Sequence, residues 1–360
     1  MKKRFSFAFF GSSLVSAFWN GAATYYRGII HALYRLGHSI TFFEPDALDR
    51  QQHRDIADPP WAKVVVYPPT FSGMQAALNQ AREANVIVKT SGVGIFDEEL
   101  EAAVLVLKKP DNVVLFWDVD APATLDRVLQ DEQDPFRQLI PRFDAVMTYG
   151  GGEPVIQAYE SLGAKLCVPI YNALDPSVHT PVARDESFAA DLSFLGNRLP
   201  DREVRVDEFF LRAAQLSPRY RFLLGGSGWK DKSLPQNVKY VGHVYTEYHN
   251  VFNCSPRAVL NINRASMARY GFSPPTRLFE VAGAAACLIT DEWVGLEHFL
   301  RPGHEVLVAQ NGAEVATILQ QLDAGQANRI GQAARARVLA EHTYQHRASL
   351  VERTLQELAL

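Results

Sequence analysis

Cysteine is scarce in this 360-residue sequence, which contains only Cys167, Cys254 and Cys287. The three lie far apart and form neither a C-x-x-C pair nor an even-numbered set, which excludes a disulfide framework and disfavours a cysteine-based zinc site. Each lies in or beside an apolar, strand-like stretch. We therefore expect small core residues of a protein in a reducing compartment, and neither nucleophiles nor metal ligands.

Long hydrophobic runs and an excess of positive charge are also missing. No apolar stretch reaches the roughly 18 residues of a membrane-spanning helix. The 36 basic residues are outnumbered by 40 acidic ones, for a net charge of -4, so nucleic acid or an anionic membrane is not expected as the main partner. The first residues imitate a signal peptide, but Gly11, Ser12 and Ser13 interrupt the apolar stretch. We expect a first strand and loop there, and a cytoplasmic protein.

What the sequence does contain is a repeated alternation of short β-rich runs with amphipathic helical ones. This pattern is typical of βαβ units in a parallel, doubly wound sheet, and hence of the α/β class. A segment with two prolines and weak periodicity, 171–190, interrupts the alternation once. With 47% hydrophobic residues, the chain can bury two cores. We predict Rossmann-like domains at 1–175 and 176–345, and a helix at 346–360 that is expected to pack back on the first domain.

The predicted strands lie at 5–10, 39–43, 64–67, 86–89, 113–117 and 145–148 in the first half, and at 192–195, 222–224, 238–241, 258–261 and 287–290 in the second. Ligands of open parallel sheets bind at the carboxyl ends of the strands. The strand-to-helix loops are therefore where candidate site residues are expected.

Two loops of the second half combine glycine with arginine. Arg198 and Arg202, near Gly196, could clamp a diphosphate, and Gly225 and Gly226 would let backbone lie against a nucleotide. Taken singly, each loop is more typical of a simple turn. Neither is a G-x-G-x-x-G that opens a helix, nor a P-loop, so NAD and ATP fingerprints are absent.

The stretch PPTRLFE, 274–280, predicts a helix that begins after two prolines. Free amides near Thr276, assisted by Arg277, would attract a phosphate, and Glu280 could accept hydrogen bonds from a ribose diol. An Arg277–Glu280 ion pair on a solvated helix face is the simpler interpretation of the same spacing. His243, in YVGHVY after a strand, has a backbone that could meet a nucleobase. Asp291 follows a strand and either faces a cleft or caps the next helix.

In the first half, Asn20 and Gly21 stand at a plausible helix entry after a long loop that either covers a ligand or is plain surface. Gly151 and Gly152 belong to YGGGEP, 149–154. A run of three glycines is costly in backbone entropy, which favours a functional reason for it.

Two carboxylates, Asp118 and Asp120 in FWDVDAP, end another strand. One could act as a general base. The pair also matches the D-x-D that binds a divalent metal in one class of sugar transferases, although so short a pattern often occurs by chance. Asp120 could instead cap the helix that follows.

Several longer segments share an order with a known family. The segment GFSPPTRLFEVAGAAACLITDEWVGLEHFLRPGHEVLV, 271–308, contains P-x-R-x-F-E, a threonine–aspartate pair, G-L-E and P-G-x-E. Together with LGNRLPDREVRVDEFF at 195–210 and LLGGSGW at 223–229, it resembles the C-terminal region of CgeB-like glycosyltransferases. The segments at 18–46, 116–125 and 141–152 resemble that family's N-terminal domain, so the resemblance covers most of the chain.

The resemblance implies the GT-B fold, two facing Rossmann-like domains with a nucleotide-sugar donor held by the second. It implies that Glu280 binds the donor ribose and that Arg198 lies near the diphosphate. It also implies catalysis without a bound metal or other cofactor, because amides and arginines neutralise the leaving diphosphate. The wider retaining GT-B enzymes carry a second glutamate where this chain has Phe272.

The expected function is therefore transfer of a sugar, hexosyl or related, to a glycan, protein or small-molecule acceptor. The donor would meet Arg198, Arg202, Gly225, Gly226, His243, Thr276, Arg277 and Glu280. The acceptor would lie near Asn20, Gly21, Asp118, Gly151 and Gly152, with Asp120 as base if the reaction inverts configuration. Two alternatives are a GT-B-fold nucleotide-sugar epimerase, which would need no acceptor, and a non-catalytic two-lobed sugar-binding protein.

Overall fold

The computed structural model describes residues 3–18 and 20–358, apart from the side chains of Asp201 and Ser266. The chain divides into two compact units. Unit 1 comprises Met1–Asn172 and Tyr344–Leu360, and unit 2 comprises Ala173–Thr343.

Unit 1 contains a sheet of seven parallel strands. The strands are β1 Ser6–Phe10, β2 Ser39–Pro45, β3 Lys63–Tyr67, β4 Val86–Thr90, β5 Val113–Asp118, β6 Ala145–Thr148 and β7 Cys167–Pro169. They are arranged in the order β3-β2-β1-β4-β5-β6-β7. The helices before unit 2 are α1 Ala23–Arg35, α2 Phe71–Ala81, α3 Asp97–Ala103, α4 Ala121–Gln130, α5 Pro135–Leu139 and α6 Gly152–Ser161.

The middle strands of unit 1 are apolar along almost their whole length, and every residue of β4 and β5 is buried. A strand that is buried on both faces loses the usual alternation of apolar and polar residues, which explains the apolar runs in the sequence. Aromatic rings fill the space between neighbouring strands, as where Phe10 stacks on Phe43 with centroids 4.9 Å apart.

Unit 2 contains a sheet of six parallel strands in the order β10-β9-β8-β11-β12-β13. The strands are β8 Leu192–Leu195, β9 Phe222–Gly225, β10 Val238–Tyr240, β11 Ala258–Asn261, β12 Leu288–Asp291 and β13 Leu307–Ala309. The helices are α7 Pro200–Val206, α8 Arg212–Leu216, α9 His249–Cys254, α10 Ala265–Tyr270, α11 Thr276–Gly283, α12 Gly312–Gln321 and α13 Ala324–Glu341. A π-helical segment, Asp207–Leu211, joins α7 to α8 without a break.

The last helix, α14 Tyr344–Glu357, belongs to unit 1. Its first residue lies against α1, where a Cβ on Gly28 would come within 2.2 Å of the Tyr344 ring. The same ring lies 6.1 Å from that of Tyr25, and the Arg347 Nε donates to the Tyr171 carbonyl at 3.3 Å. Glycine at position 28 therefore permits the close approach of the two helices.

The predicted parallel sheets are confirmed in both units, and the bounds of β6, β8 and β11 are those predicted. The short strands β7 and β13 were not predicted. None of the described helices combines the length and the apolarity needed to cross a lipid bilayer.

Candidate functional site

Three loops of unit 2 meet at the carboxyl edge of its sheet. Gly226, after β9, has a φ of +116°, and a Cβ there would lie 2.2 Å from the Gly196 carbonyl oxygen. The Gly226 N–H donates to the Gly242 carbonyl at 2.7 Å, and the Trp229 indole donates to Gly196 at 2.8 Å. The glycines predicted to face a nucleotide thus first serve to bring the loops after β8, β9 and β10 together. Gly225 is packed similarly, because a Cβ would lie 2.9 Å from a Leu195 methyl.

Arg198, in the first of these loops, and Arg202, in α7, lie beside the glycines. The Arg198 guanidinium donates to both carboxylate oxygens of Glu203, each at 2.8 Å, and to Asp231 at 3.0 Å. The hydrogen bonds with Glu203, followed by those with Asp231, raise the pKa of Arg198. Arg202 donates to the Asn197 carbonyl at 3.5 Å. Arg198 is therefore held in place by two carboxylates.

A largely buried pair of opposite charges lies on α11. The Arg277 Nη1 is 2.8 Å from the Glu280 Oε2, so the i,i+3 pair foreseen as a simpler interpretation is present. It does not lie on a solvated face, however, because Glu280 is only 6% exposed. The His249 Nδ1 from α9 lies 3.9 Å from the same carboxylate oxygen. The helix spacing therefore correctly placed Arg277 beside Glu280, but gave no sign of the histidine.

The charges in this cluster fix its ionisation. Burial raises the pKa of Glu280, but Arg277, His179 and His249 outweigh burial and lower the pKa to about 2. Burial also lowers the pKa of His249 to about 4, so this imidazole is neutral at pH 7. Arg277 is then the fixed cation beside Glu280, which stays ionised as an acceptor of hydrogen bonds.

Several polar atoms of the same cluster are buried yet lack a hydrogen-bond partner among the described residues. They are the Arg277 Nε and Nη1, the Glu280 Oε2, the His249 Nδ1 and the His179 Nδ1. The 2.8 Å contact between Arg277 and Glu280 is an ion pair by distance but lacks hydrogen-bond geometry. Buried polar atoms without a partner are rare and call for an explanation, and a ligand is one.

Beside His243 lies a cavity of about 330 Å³. It is lined by Ser187, Phe188, Lys239, Val241, His243, Val244, Tyr245 and Tyr248. Tyr245 is 64% exposed and stands edge-on to the His243 ring, with centroids 4.7 Å apart. Exposed aromatic side chains at a cavity suit a flat ring. The sequence identified His243 but not the two tyrosines, whose exposure is evident only in the structure.

Asp291, the last residue of β12, is fully buried. It accepts from the Arg205 Nη2 at 2.5 Å and from the Asn263 N–H at 3.1 Å. Burial raises the pKa of Asp291, and Arg205 opposes that effect. The sequence suggested that Asp291 either faces a cleft or caps the next helix, and neither interpretation describes these bonds. The bonds connect β12 to α7 and to the loop after β11.

In unit 1, the two carboxylates after β5 differ in their surroundings. Asp118 is fully buried. It accepts hydrogen bonds from the Ser91, Thr124 and Tyr159 hydroxyls at 2.7, 3.1 and 2.5 Å, and from the Asp120 N–H at 3.0 Å. Asp120 is half-buried at the N-cap of α4. The Asp118 carboxylate therefore holds the loop that carries Asp120.

The other predicted acceptor-side residues also lie in loops at this edge of the sheet. The Asn20 amide is buried, donates to the Ser13 and Ser16 carbonyls and accepts from the Ser12 hydroxyl, all within 2.9 Å. Gly21 is exposed, with open space where a Cβ would be. Asn20 therefore folds the long loop after β1.

The glycine run after β6 has a structural explanation that the sequence did not suggest. Gly151 and Gly152 have φ of +97° and +50°. A Cβ on Gly151 would lie 2.0 Å from a Val155 methyl. The left-handed backbone and this contact both favour glycine at 151, so the entropy cost at that position is explained without a ligand.

In the described ranges, no three His, Cys, Asp or Glu side chains are grouped so that they could hold a metal ion. The cysteines are free thiols, and burial raises the pKa of Cys167 and of Cys287 to about 12. Such thiols are poor nucleophiles at neutral pH.

Comparison with known families and structures bears on this edge of unit 2. Residues 202–353 match the family model described as glycosyl transferase-like. This match begins at Arg202 and includes His249, Arg277 and Glu280, whereas His179 lies outside it. No curated protein sequence matches the chain significantly.

Solved structures resemble the chain over its full length. HepE of Anabaena, solved with UDP and glucose, is 14% identical with a TM-score of 0.68, covering 98% of this chain and 100% of its own. Sucrose-phosphate synthase of Thermosynechococcus elongatus is 16% identical with a TM-score of 0.70, covering 99% of each chain. An α-glucosyltransferase solved with UDP-glucose and DNA containing an abasic site is 12% identical with a TM-score of 0.68. The match covers 99% of this chain and 100% of its own.

At these identities the structural likeness concerns the fold, and it confirms the predicted GT-B class. The family match indicates the class of enzyme, which the likeness in fold alone does not. Residues 202–353 form a glycosyl transferase-like domain in a chain with the GT-B fold, which confirms the expected glycosyltransferase.

Proposed function

We propose that this glycosyltransferase uses a nucleoside-diphosphate sugar as its donor, and that unit 2 holds the nucleotide. The observation that carries the proposal is the buried Arg277–Glu280 pair, whose polar atoms lack hydrogen-bond partners among the described residues. HepE and the α-glucosyltransferase were solved with UDP or UDP-glucose, which supports a UDP-sugar donor.

Glu280 and Arg277 take different parts of this donor. The Glu280 carboxylate, whose pKa is lowered to about 2, is ionised at neutral pH and can only accept, so it suits the ribose hydroxyls. Arg277 offers unused N–H donors, and with the amide of Thr276 at the start of α11 it meets the diphosphate. The ribose hydroxyls thus donate to the anionic Glu280, and the anionic phosphate oxygens accept from the cationic Arg277.

Arg198 and Arg202 complete the diphosphate site. Arg198 is bonded to Glu203 through two nitrogens, but its second partner, Asp231, has a side chain that is 79% exposed. That carboxylate can therefore rotate into water and free one N–H for a phosphate oxygen. The packed glycines Gly225 and Gly226 let the diphosphate approach the backbone.

The nucleobase is proposed to lie at the loop after β10. The His243 backbone bonds the edge of the base, and Tyr245 and Tyr248 at the neighbouring cavity contact its face.

The acceptor is proposed to bind at the carboxyl edge of the unit 1 sheet, near Asn20, Gly21 and the loop of Gly151 and Gly152. Transfer breaks the bond from the sugar's anomeric carbon to the diphosphate oxygen and forms one to an acceptor oxygen. Asp120 takes the acceptor's proton if the reaction inverts configuration. Arginines and amides neutralise the leaving diphosphate, so we propose catalysis without a bound metal.

We further propose membership of the CgeB-like subfamily, a cytoplasmic location and no nucleic-acid partner. One structural neighbour was solved with DNA, but the net charge of -4 in this chain provides no general basic field.

The first test combines ligand binding with donor kinetics. Thermal shift with nucleoside diphosphates and nucleotide sugars should show stabilisation by one nucleotide series, and activity should survive EDTA. Glu280→Ala should raise the donor KM or abolish turnover, whereas Glu357→Ala, an exposed glutamate of α14, should change neither. Wild-type donor kinetics in Glu280→Ala would contradict the proposed site.

A further inference from the structure

Arg50, in the loop after β2 of unit 1, is only 5% exposed, which is unusual for a charged side chain. Its Nη1 donates to the Ser12 carbonyl at 3.1 Å and to the Val93 carbonyl at 2.7 Å. Leu48 and Asp49, just before it, have φ of +57° and +55°, a strained backbone that proteins often keep at ligand sites. Arg50 therefore links the loops after β1 and β4 at the carboxyl edge of the sheet.

The two linked loops lead to the predicted acceptor-side residues. In the loop after β1, the Ser12 hydroxyl donates to the Asn20 amide oxygen at 2.9 Å. In the loop after β4, the Ser91 hydroxyl accepts from the N–H of Val119, the residue before Asp120, at 2.9 Å. The buried arginine is therefore bonded to the loop that carries Asn20 and to a loop that contacts the one carrying Asp120.

The remaining nitrogens of the Arg50 guanidinium are unused. Nε is buried without a hydrogen-bond partner among the described residues, and Nη2 donates to none of them either, although it is not shut off from solvent. Nε–H and one N–H of Nη2 point the same way, and this edge binds a carboxylate or phosphate through two parallel bonds. Arg198 uses the same edge on Glu203, at 2.8 Å for each bond. In Arg50, no described side chain uses it.

The nearby carboxylates are committed to other groups. Asp97 is 2.8 Å from the Lys89 ammonium, and Glu44 accepts from the Ser13 hydroxyl at 2.9 Å and from a backbone N–H at 2.6 Å. Burial lowers the pKa of Arg50, and Glu44 and Asp97 oppose that effect, so the guanidinium stays charged at neutral pH. A bound anion would supply the counterion that this cation does not have among the described side chains.

Glycines in the loop after β4 leave one end of the guanidinium uncovered. A Cβ on Gly94, at a φ of +104°, would lie 3.4 Å from both Nη1 and Nη2 of Arg50. Gly92 is exposed and has nothing within 4 Å of where a Cβ would be. An oxyanion would therefore meet Nη2 first and reach the buried Nε after a small shift of the loop 91–94.

We propose that the free edge of Arg50 binds a carboxylate or phosphate group of the acceptor, so that the enzyme glycosylates an anionic molecule in preference to a neutral one. This inference rests on the proposed acceptor edge of unit 1. It adds an acceptor-contacting residue, Arg50, and it narrows the acceptor from any molecule with a hydroxyl group to an acidic one.

The first test is a nuclear magnetic resonance titration of the whole protein, observed at the arginine Nε–H groups. The Arg50 Nε is shut off from water, so its proton should exchange slowly and give a visible signal, identified by its loss in Arg50→Lys. Inorganic phosphate or acetate should shift this signal saturably, whereas chloride at the same ionic strength should not. The Nε of Arg27, which donates to the Leu14 carbonyl at 2.8 Å, is the internal control and should not move.

Matched sugars distinguish the two sources of the anion. Glucose 6-phosphate supplies a phosphate, glucuronate supplies a carboxylate, and glucose supplies neither. One of the anionic sugars should bind roughly 10- to 150-fold more tightly than glucose, followed at the Gly94 amide signal, because only it gains a charge-assisted pair of hydrogen bonds. The same sugar should receive the labelled donor sugar faster than glucose does.

Variants separate recognition from folding. Arg50→Lys keeps the charge but has no two-nitrogen edge, so it should lose most of the preference for the anionic sugar while its affinity for nucleotides stays unchanged. Arg27→Lys, at an arginine already bonded to Asp55, should change neither affinity. Unchanged nucleotide binding also shows that each variant is folded.

An Arg50 signal that no anion shifts, or that chloride shifts as much, would overturn the proposal and leave Arg50 as a structural link between two loops. Transfer to both anionic sugars that is no faster than transfer to glucose would overturn the assignment of this site to the acceptor. Absence of nucleotide binding would instead overturn the proposed donor site in unit 2, so the two failures are distinguishable.

Discussion

Replacing Glu280 by glutamine should make unit 2 less stable in a pH-dependent way. The substitution keeps the shape of the side chain but removes the charge that faces Arg277 at 2.8 Å. Glutamine therefore resembles the protonated form of Glu280. The charge on Arg277, largely buried with a side chain 16% exposed, is left without its counterion.

The magnitude follows from the carboxyl's ionisation. Folding lowers the pKa of Glu280 from its usual 4.5 to about 2, which corresponds to about 3 kcal/mol at about 1.4 kcal/mol per pH unit. Because the folded pKa is the lower one, this stability is fully present above pH 4.5 and is lost as the pH falls towards 2. Glu280→Gln should therefore lower the free energy of unfolding by about 3 kcal/mol at pH 7 and by about half as much at pH 3.

Hydrogen exchange of β12 and α11 in urea measures this free energy for unit 2 alone, which avoids assuming that both units unfold together. Glu357→Gln, on the exposed end of α14, is the control and should be neutral at both pH values. A loss for Glu280→Gln that is the same at pH 7 and pH 3 would falsify the assignment of a lowered pKa. A loss below about 1 kcal/mol at pH 7 would show that the pair contributes no more than a surface salt bridge.

Two other substitutions test the packing of the site loops. Gly151→Ala should lower the free energy of unfolding by about 2 to 4 kcal/mol, because its Cβ would lie 2.0 Å from a Val155 methyl. The control is Gly303→Ala, at a φ of +77° with nothing within 4 Å of the added Cβ. It should lower the free energy of unfolding by only about 1 kcal/mol. Urea denaturation compares the two, and equal losses would show that the contact with Val155 relaxes. Arg205→Met should cost about 3 to 5 kcal/mol at pH 7 but less at pH 5, because burial raises the pKa of Asp291 and a protonated carboxyl needs no cation. A loss for this variant that does not change with pH would contradict the ion pair.

Most of the sheet architecture could be predicted because short β-rich runs alternate with amphipathic helical segments. The bounds of β6, Ala145–Thr148, and β11, Ala258–Asn261, agree with prediction. The edge strands β7 and β13 were not predicted, although β10, which also has three residues, was. Each is defined by pairing with a neighbour, β6 or β12, and that neighbour is not visible in the local sequence.

The position of the candidate site was predictable, but its contacts were not. Parallel strands end at one edge, so the loops carrying Arg198 and His243 and the helix carrying Glu280 could be assigned to it from order alone. The nearness of His249 to Glu280 depends on how α9 packs against α11. Spacing also could not separate Asp118 from Asp120, although one accepts four hydrogen bonds in the core and the other is half-buried.

Helix α14 has a consequence for biosynthesis. It completes unit 1, but it is translated after the whole of unit 2. The surface of α1 around Gly28, which Tyr344 covers, therefore stays uncovered on the ribosome until α14 emerges. Unit 2 is continuous in sequence and can fold first, reversing the usual N-terminal-first order. A stop codon before α14 should therefore destabilise unit 1, most of which is translated before unit 2.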